Sequence, residues 1–207
     1  IQHNQLNQYL FVPNEKGISP PYVAARSGFI SILDALANHG GVDLCRPTNN
    51  GITPVKIATQ NGHQDVLGWY LQRIPFCPKV LCSLFYIACK KGHEHIVVFL
   101  LEYFKESAHL LEYFEESAPF DENTLRDKEG NTLAIFAGSA GNVVMLKILQ
   151  DSGYDLYFTK REDRKNAINA AAEQMKDAKE KKRPVDGYEA IIKFLKEEAI
   201  GTKRLTS

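Results

Sequence analysis

Five residues in the middle of the chain carry side chains that bind zinc or act as nucleophiles: Cys77, Cys82, Cys89, His93 and His95. Structural zinc sites usually pair their thiolates in C-x-x-C knuckles, and these cysteines form no such pair. A catalytic cysteine needs an activating setting, such as a glycine-rich elbow or an adjacent base. None of them has one in the sequence. We therefore expect structural cysteines, no metal site and no catalytic residue.

Other chemistry-bearing motifs are missing from the sequence as well. It contains no phosphate-binding glycine loop, no paired-carboxylate motif and no H-E-x-x-H. The 25 basic and 25 acidic residues cancel, which gives little reason to expect a nucleic-acid backbone as the main ligand. We predict that this stretch of chain is not an enzyme, needs no cofactor and binds no nucleic acid.

The cysteines and the apolar runs bear on location. Cys82 and Cys89 flank an apolar segment, which suits free thiols in a reducing compartment. The longest apolar run, residues 96–101, is far shorter than the ~20 residues that cross a bilayer, and no signal peptide is recognisable. We expect an intracellular, cytoplasmic protein without membrane insertion. Because the chain starts at Ile1, we also expect a piece of a longer protein.

An internal repeat organises most of the chain. Residues 17–28 (GISPPYVAARSG) match residues 51–62 (GITPVKIATQNG) at a spacing of 34 residues, and further copies are residues 83–93 and 130–141. A glycine stands at or near the end of each copy, and we call it the closing glycine. Positions four, five, eight and nine after it should form one apolar stripe of a helix. Counted from glycines 28, 62, 92, 141 and 187, 18 of 20 such positions are apolar, so chance explains them poorly.

Local physical chemistry explains the repeated residues. Ser19, Thr53, Ser83 and Thr132 are placed to cap the first helix of each copy, and proline is tolerated in its first turn. The five closing glycines relieve the backbone at the tight turn between two helices. Each pair exposes an apolar face that only its neighbours cover, so the copies are stable collectively.

These motifs resemble the ankyrin repeat, which has a glycine turn, T-P-L-H-x-A-A and then glycine-histidine. The resemblance implies an all-α solenoid of about five helix-turn-helix repeats joined by short β-hairpins or loops. One domain over 1–207 would contain repeats at about 14–47, 48–77, 78–126, 127–160 and 161–200. The histidine of the T-P-L-H motif is replaced in the four clear copies, by Tyr22, Lys56, Tyr86 and Ile135.

The pattern departs from the family in three places. Residues 75–79 lack the usual turn residues, so we expect a distorted or missing hairpin. Residues 100–108 are nearly repeated as residues 110–118, which predicts an elongated outer helix before Pro119; the duplication is a tolerated insertion or an aromatic ledge of Tyr113 and Phe114. The lysine-rich insertion at 173–186 predicts a solvated helix extension ended by Pro184, with a nuclear-import or phosphate-binding patch as the alternative.

The resemblance implies a protein–protein interaction module whose partner lies along the concave side. The surface would consist of hairpin tips and first-helix positions: Lys16, Tyr22, Arg26, Asn49, Asn50, Lys56, Gln60, Asn61, Lys79, Tyr86, Lys90, Lys91, Lys128 and Glu129. Its basic centre, Lys79, Lys90 and Lys91, favours a partner with an acidic segment, unless these are ordinary solvated lysines. We expect a monomer. The alternatives are the targeting arm of a larger enzyme, a bacterial effector acting in the host cytoplasm, and an architectural spacer.

Overall fold

The computed structural model describes residues 12–39, 41–111, 132–153 and 167–205. Within these residues the chain forms ten α-helices and no strand, so the predicted all-α class is confirmed. The helices are α1 (Pro20–Ser27), α2 (Ile30–Asn38), α3 (Pro54–Gln60), α4 (Gln64–Arg73), α5 (Pro78–Lys91), α6 (Glu94–Leu111), α7 (Leu133–Ala140), α8 (Val143–Asp151), α9 (Ala167–Glu180) and α10 (Asp186–Leu205).

The chain divides into two compact units, Ile1–Phe76 and Cys77–Ser207. In the first unit α1 packs on α2 and α3 on α4, while α1 also contacts α3 and α2 contacts α4. In the second unit α5–α6, α7–α8 and α9–α10 form the pairs. There α5, α7 and α9 form one row and α6, α8 and α10 the other. The single domain predicted for 1–207 stays a prediction.

Side-chain caps begin three of the first helices as predicted. The hydroxyls of Ser19, Thr53 and Thr132 accept hydrogen bonds from the backbone N–H three residues later. The predicted cap at Ser83 is wrong. This residue lies inside α5, and its hydroxyl donates to the Val80 carbonyl at 2.8 Å.

The third repeat begins directly with a helix. α5 starts at Pro78 and has 14 residues, whereas α1 and α3 have 8 and 7. Leu81, Leu84 and Phe85 are fully buried, so an apolar stripe already exists in its first two turns and favours helix where a hairpin would otherwise stand. The described residues between α4 and α5 contain no strand, as the atypical residues 75–79 suggested.

The closing turns use glycine four times and lysine once. Gly28, Gly62, Gly92 and Gly141 have φ between 74° and 84°, as predicted. Gly187 was wrongly predicted to be the fifth: it lies in the first turn of α10, and the residue with positive φ is Lys182, at 53°. The hydrogen bond that ends the helix also places the turn at Lys182. The N–H of Arg183 donates to the Ala178 carbonyl, just as the N–H of Phe29, which follows Gly28, donates to the Ala24 carbonyl.

Gly187 is needed for a different reason. A Cβ at this position would lie 2.2 Å from the carbonyl oxygen of Gly141, so only glycine lets α10 approach the preceding turn this closely. The apolar register counted from Gly187 still holds, because Ile191 and Leu195 are buried. The sequence pattern therefore located the helix stripe correctly and the turn residue wrongly.

Both insertions lengthen helices, as predicted. α6 has 18 residues, and α9 has 14 and ends at Glu180, before Pro184. Lys176, Lys179 and Lys181 are exposed, in keeping with a solvated extension. The second copy of the duplication, with Tyr113 and Phe114, lies outside the described residues.

Candidate binding surface

The predicted contact residues of the first unit are mostly at its surface. Lys16, Arg26, Asn49, Asn50 and Asn61 are exposed. Lys56 and Gln60 are half-buried. Tyr22, by contrast, is only 7% exposed, so its ring belongs to the core and offers little surface to a partner.

Two of the exposed asparagines are already engaged within the chain. Asn49 Nδ2 donates to the Glu15 carbonyl at 2.8 Å, and its backbone N–H donates to the Lys16 carbonyl. Asn61 Nδ2 donates to the Arg26 carbonyl at 2.8 Å. Each bond joins residues about one 34-residue period apart, so these side chains tie one repeat to the next. Arg26, Lys56 and Asn50 remain the better candidates for partner contacts.

The residues that follow Gly62 and Gly187 lie against the turn glycine of the preceding helix pair, a contact that was not predicted from the sequence. A Cβ at Gly28 would lie 3.0 Å from the His63 ring, and one at Gly141 would lie 3.0 Å from the Tyr188 ring. His63 Nε2 also lies 2.9 Å from the Arg26 carbonyl oxygen, so the ring contacts the backbone of the preceding repeat as well as its glycine. The signal was available: these residues occupy the same place in the repeat, directly after glycines 62 and 187.

The clearest surface feature of the second unit lies on α5 and α7. The rings of Tyr86 and Phe136 meet edge to face, with centroids 5.6 Å apart. Lys90 Nζ lies 5.6 Å from the centroid of the Tyr86 ring, within the range of a cation–π contact. Tyr86 and Phe136 are half-buried, whereas Lys90 and Lys91 are exposed. We name Tyr86, Lys90, Lys91 and Phe136 the α5–α7 patch.

The local sequence places both lysines where a helix favours them. They form the last turn of α5, which ends at Gly92, and cations near a helix C-terminus interact favourably with the macrodipole. The third lysine of the predicted basic centre, Lys79, lies outside the described side chains. Lys128 and Glu129 also lie outside the described residues. The described part of the basic centre is therefore the pair Lys90 and Lys91.

A polar cluster on the second helices of the first unit escaped the sequence analysis. Trp69 Nε1 donates to Asp34 Oδ1, and the Arg73 guanidinium lies 3.2 Å from the same oxygen. Arg73 also stacks over the Trp69 ring, 4.5 Å from its centroid. Asp34 and Trp69 are 35 residues apart, so the repeat period was the signal. The cluster joins α2 to α4 and is structural.

The cysteines are free in the described structure, and Cys82 and Cys89 are buried, as structural cysteines in an apolar segment should be. Burial raises the pKa of the Cys89 thiol. Burial, with a smaller contribution from Asp43, raises the pKa of Cys45. Both shifts favour the protonated thiol, which is the poorer nucleophile.

The described residues contain neither a metal-ligand cluster nor a membrane-spanning helix. No three His, Cys, Asp or Glu side chains there are grouped to hold a metal ion. None of the helices in this part of the chain combines the length and apolar character that a membrane span requires.

Comparison with known proteins assigns no family. No protein-family model matches the chain, and a search of curated proteins found no match either. The ankyrin resemblance therefore stays an expectation from the repeat residues.

Proposed function

We propose that the chain is an ankyrin-type repeat protein that binds a protein partner along its first helices. The support is the agreement between the sequence copies and the packing: each copy corresponds to a helix pair, and first helices pack on first helices within each unit. Within a unit, such an arrangement aligns the exposed positions of successive first helices on one side. The buried free thiols are in keeping with a reducing, intracellular setting.

The α5–α7 patch is the observation that carries the proposal. An aromatic pair with Lys90 over the Tyr86 ring, and with the exposed Lys91 next in the same helix turn, combines apolar contact area with positive charge, a composition that suits a binding surface. Lys91 lies beside Lys90 in the last turn of α5 and is exposed. The partner favoured by this chemistry is a peptide segment with carboxylates for the lysines and an apolar residue for the rings.

The test selects ligands without assuming their identity. A random-peptide display library is panned against the immobilised chain, and the enriched peptides are measured by titration calorimetry. We expect acidic peptides with at least one apolar residue. The Lys90→Glu/Lys91→Glu variant should weaken them about tenfold or more, since two lost ion pairs of about 1 kcal/mol each reach that factor.

The matched control reverses two exposed lysines on a second helix. Lys193→Glu/Lys196→Glu in α10 makes the same charge change away from the α5–α7 patch, and should leave affinity within about twofold when measured at physiological salt. Equal losses in both variants would mean that net charge alone attracts the peptides. Unchanged affinity in the Lys90→Glu/Lys91→Glu variant would remove the patch from the proposal, and failure to enrich any peptide would favour the architectural spacer.

A further inference from the structure

The first helix pair carries an exposed apolar face. Val23 on α1, Phe29 between the helices and Ile32 on α2 are 47%, 54% and 45% exposed. Single exposed apolar residues are ordinary on a protein surface, but a cluster on one helix pair calls for an explanation. The neighbouring pair α3–α4 packs on the same two helices and leaves these three side chains uncovered.

The repeat shows what normally covers two of these positions. Ile32 stands four residues after Gly28, just as Val66, Met145 and Ile191 stand four residues after glycines 62, 141 and 187. Those three follow another pair within their unit, and none is more than 1% exposed. Phe29 directly follows its glycine, as do His63 and Tyr188, whose rings lie against the glycine of the preceding pair. Phe29 and Ile32 are therefore stacking residues at the uncovered end of the first unit.

We infer that this end face, formed by Val23, Phe29 and Ile32, binds a further helix pair of the same kind, with a glycine turn against the Phe29 ring. Residues 1–11 cannot supply it, since α1 and α2 alone have 8 and 9 residues. The last pair of a second copy is a poor occupant as well, because its turn carries the exposed Lys182 in place of glycine. This inference concerns the end of the first unit and is independent of the α5–α7 patch.

The test adds such a pair to the full chain. A tandem duplicate of residues 12–45, one 34-residue period, is inserted between Phe11 and Val12, which brings the glycine turn of the duplicate to Phe29 of the original pair. Trp69 is the only tryptophan and belongs to the first unit, so its fluorescence reports that unit. We expect its thermal transition to rise by roughly 4 °C or more, as expected for a newly buried apolar interface.

A pair of substitutions supplies the control. Phe29→Gln/Ile32→Gln in the natural chain should leave the transition within about 1 °C, because both side chains are exposed and glutamine brings neither a charge nor a favoured helix cap. In the duplicated chain the same changes, made in the original pair, should abolish the gain. No gain on duplication, or a gain that survives the substitutions, would overturn the inference. So would a natural chain that sediments as a dimer and becomes monomeric on substitution, because a second copy would then cover the face.

Discussion

The indole of Trp69 donates a 2.6 Å hydrogen bond to the carboxylate of Asp34, from α4 to α2. Trp69 is buried, whereas the Asp34 and Arg73 side chains are each 44% exposed. The two interactions of Asp34 should therefore differ in strength. A buried N–H that loses its acceptor destabilises the fold by the full free energy of its desolvation. An ion pair between half-exposed side chains contributes less, because water screens the two charges.

Two substitutions of Asp34 separate these contributions. Asp34→Ala removes the acceptor and should lower the free energy of unfolding of the first unit by about 1–3 kcal/mol. Asp34→Asn keeps an oxygen acceptor and removes only the charge facing Arg73, so it should cost less than about 1 kcal/mol. Urea unfolding followed by Trp69 fluorescence measures both. Equal losses would mean that the ion pair, and not the indole bond, stabilises the unit.

Gly187→Ala tests the close approach of α10 to the preceding turn. Helix propensity alone predicts a gain of about 1 kcal/mol from this change. The new Cβ would meet the Gly141 carbonyl oxygen at 2.2 Å, so we expect a net loss of about 1–3 kcal/mol from overpacking. Urea unfolding followed by circular dichroism measures the change. At the exposed Ala190 of the same helix, Ala190→Gly should follow propensity and lose about 1 kcal/mol; stabilisation by Gly187→Ala would contradict the contact.

Lys182→Gly should stabilise the second unit. A left-handed backbone costs a residue with a Cβ about 1–2 kcal/mol, and glycine gives back about 0.5–1 kcal/mol through the entropy of the unfolded chain. The expected net gain is about 0.5 kcal/mol, measured as a shift of the urea midpoint. Lys179→Gly, three residues earlier and helical, is the control and should lose about 1 kcal/mol. A loss at both positions would show that Lys182 contributes more than its backbone conformation.

The Cys89 thiol should make the second unit less stable in alkali. Its pKa is raised above the ordinary 9.0 by burial, so above pH 9 the unfolded chain releases a proton that the folded chain retains. Stability from this group is full below pH 9 and falls as pH rises, by up to about 1.4 kcal/mol per pH unit. Urea midpoints from pH 8 to 10.5 measure the slope. Cys89→Ala should have a shallower slope than the wild type, and parallel slopes would contradict this linkage.

The sequence predicted those parts of the fold that depend on local chemistry. Ser19 and Thr53 cap their helices because a hydroxyl at that place satisfies a free backbone N–H, and Gly28 closes its pair because glycine adopts positive φ readily. The apolar positions after each glycine located the second helices, since burial of one face requires that spacing.

What the sequence did not predict depends on contacts between repeats. Lys182 closes a turn where no glycine marks it, and Gly187 is required by a carbonyl 46 residues earlier in the chain. The exposed asparagines Asn49 and Asn61 resembled partner contacts, yet their amides bind backbone carbonyls of the preceding repeat. Local patterns do not distinguish an exposed amide that is free from one already bonded to a neighbouring repeat.

Mapping the bound peptide on the chain tests the central proposal most directly. Backbone amide resonances are recorded by NMR while the tightest peptide from the display selection is titrated into the full chain. We expect the largest shifts on the first helices α5 and α7, around Tyr86, Lys90 and Phe136, with little change on α6 and α8. Shifts concentrated on α6 and α8 would contradict the proposal that this protein binds its partner along the first helices.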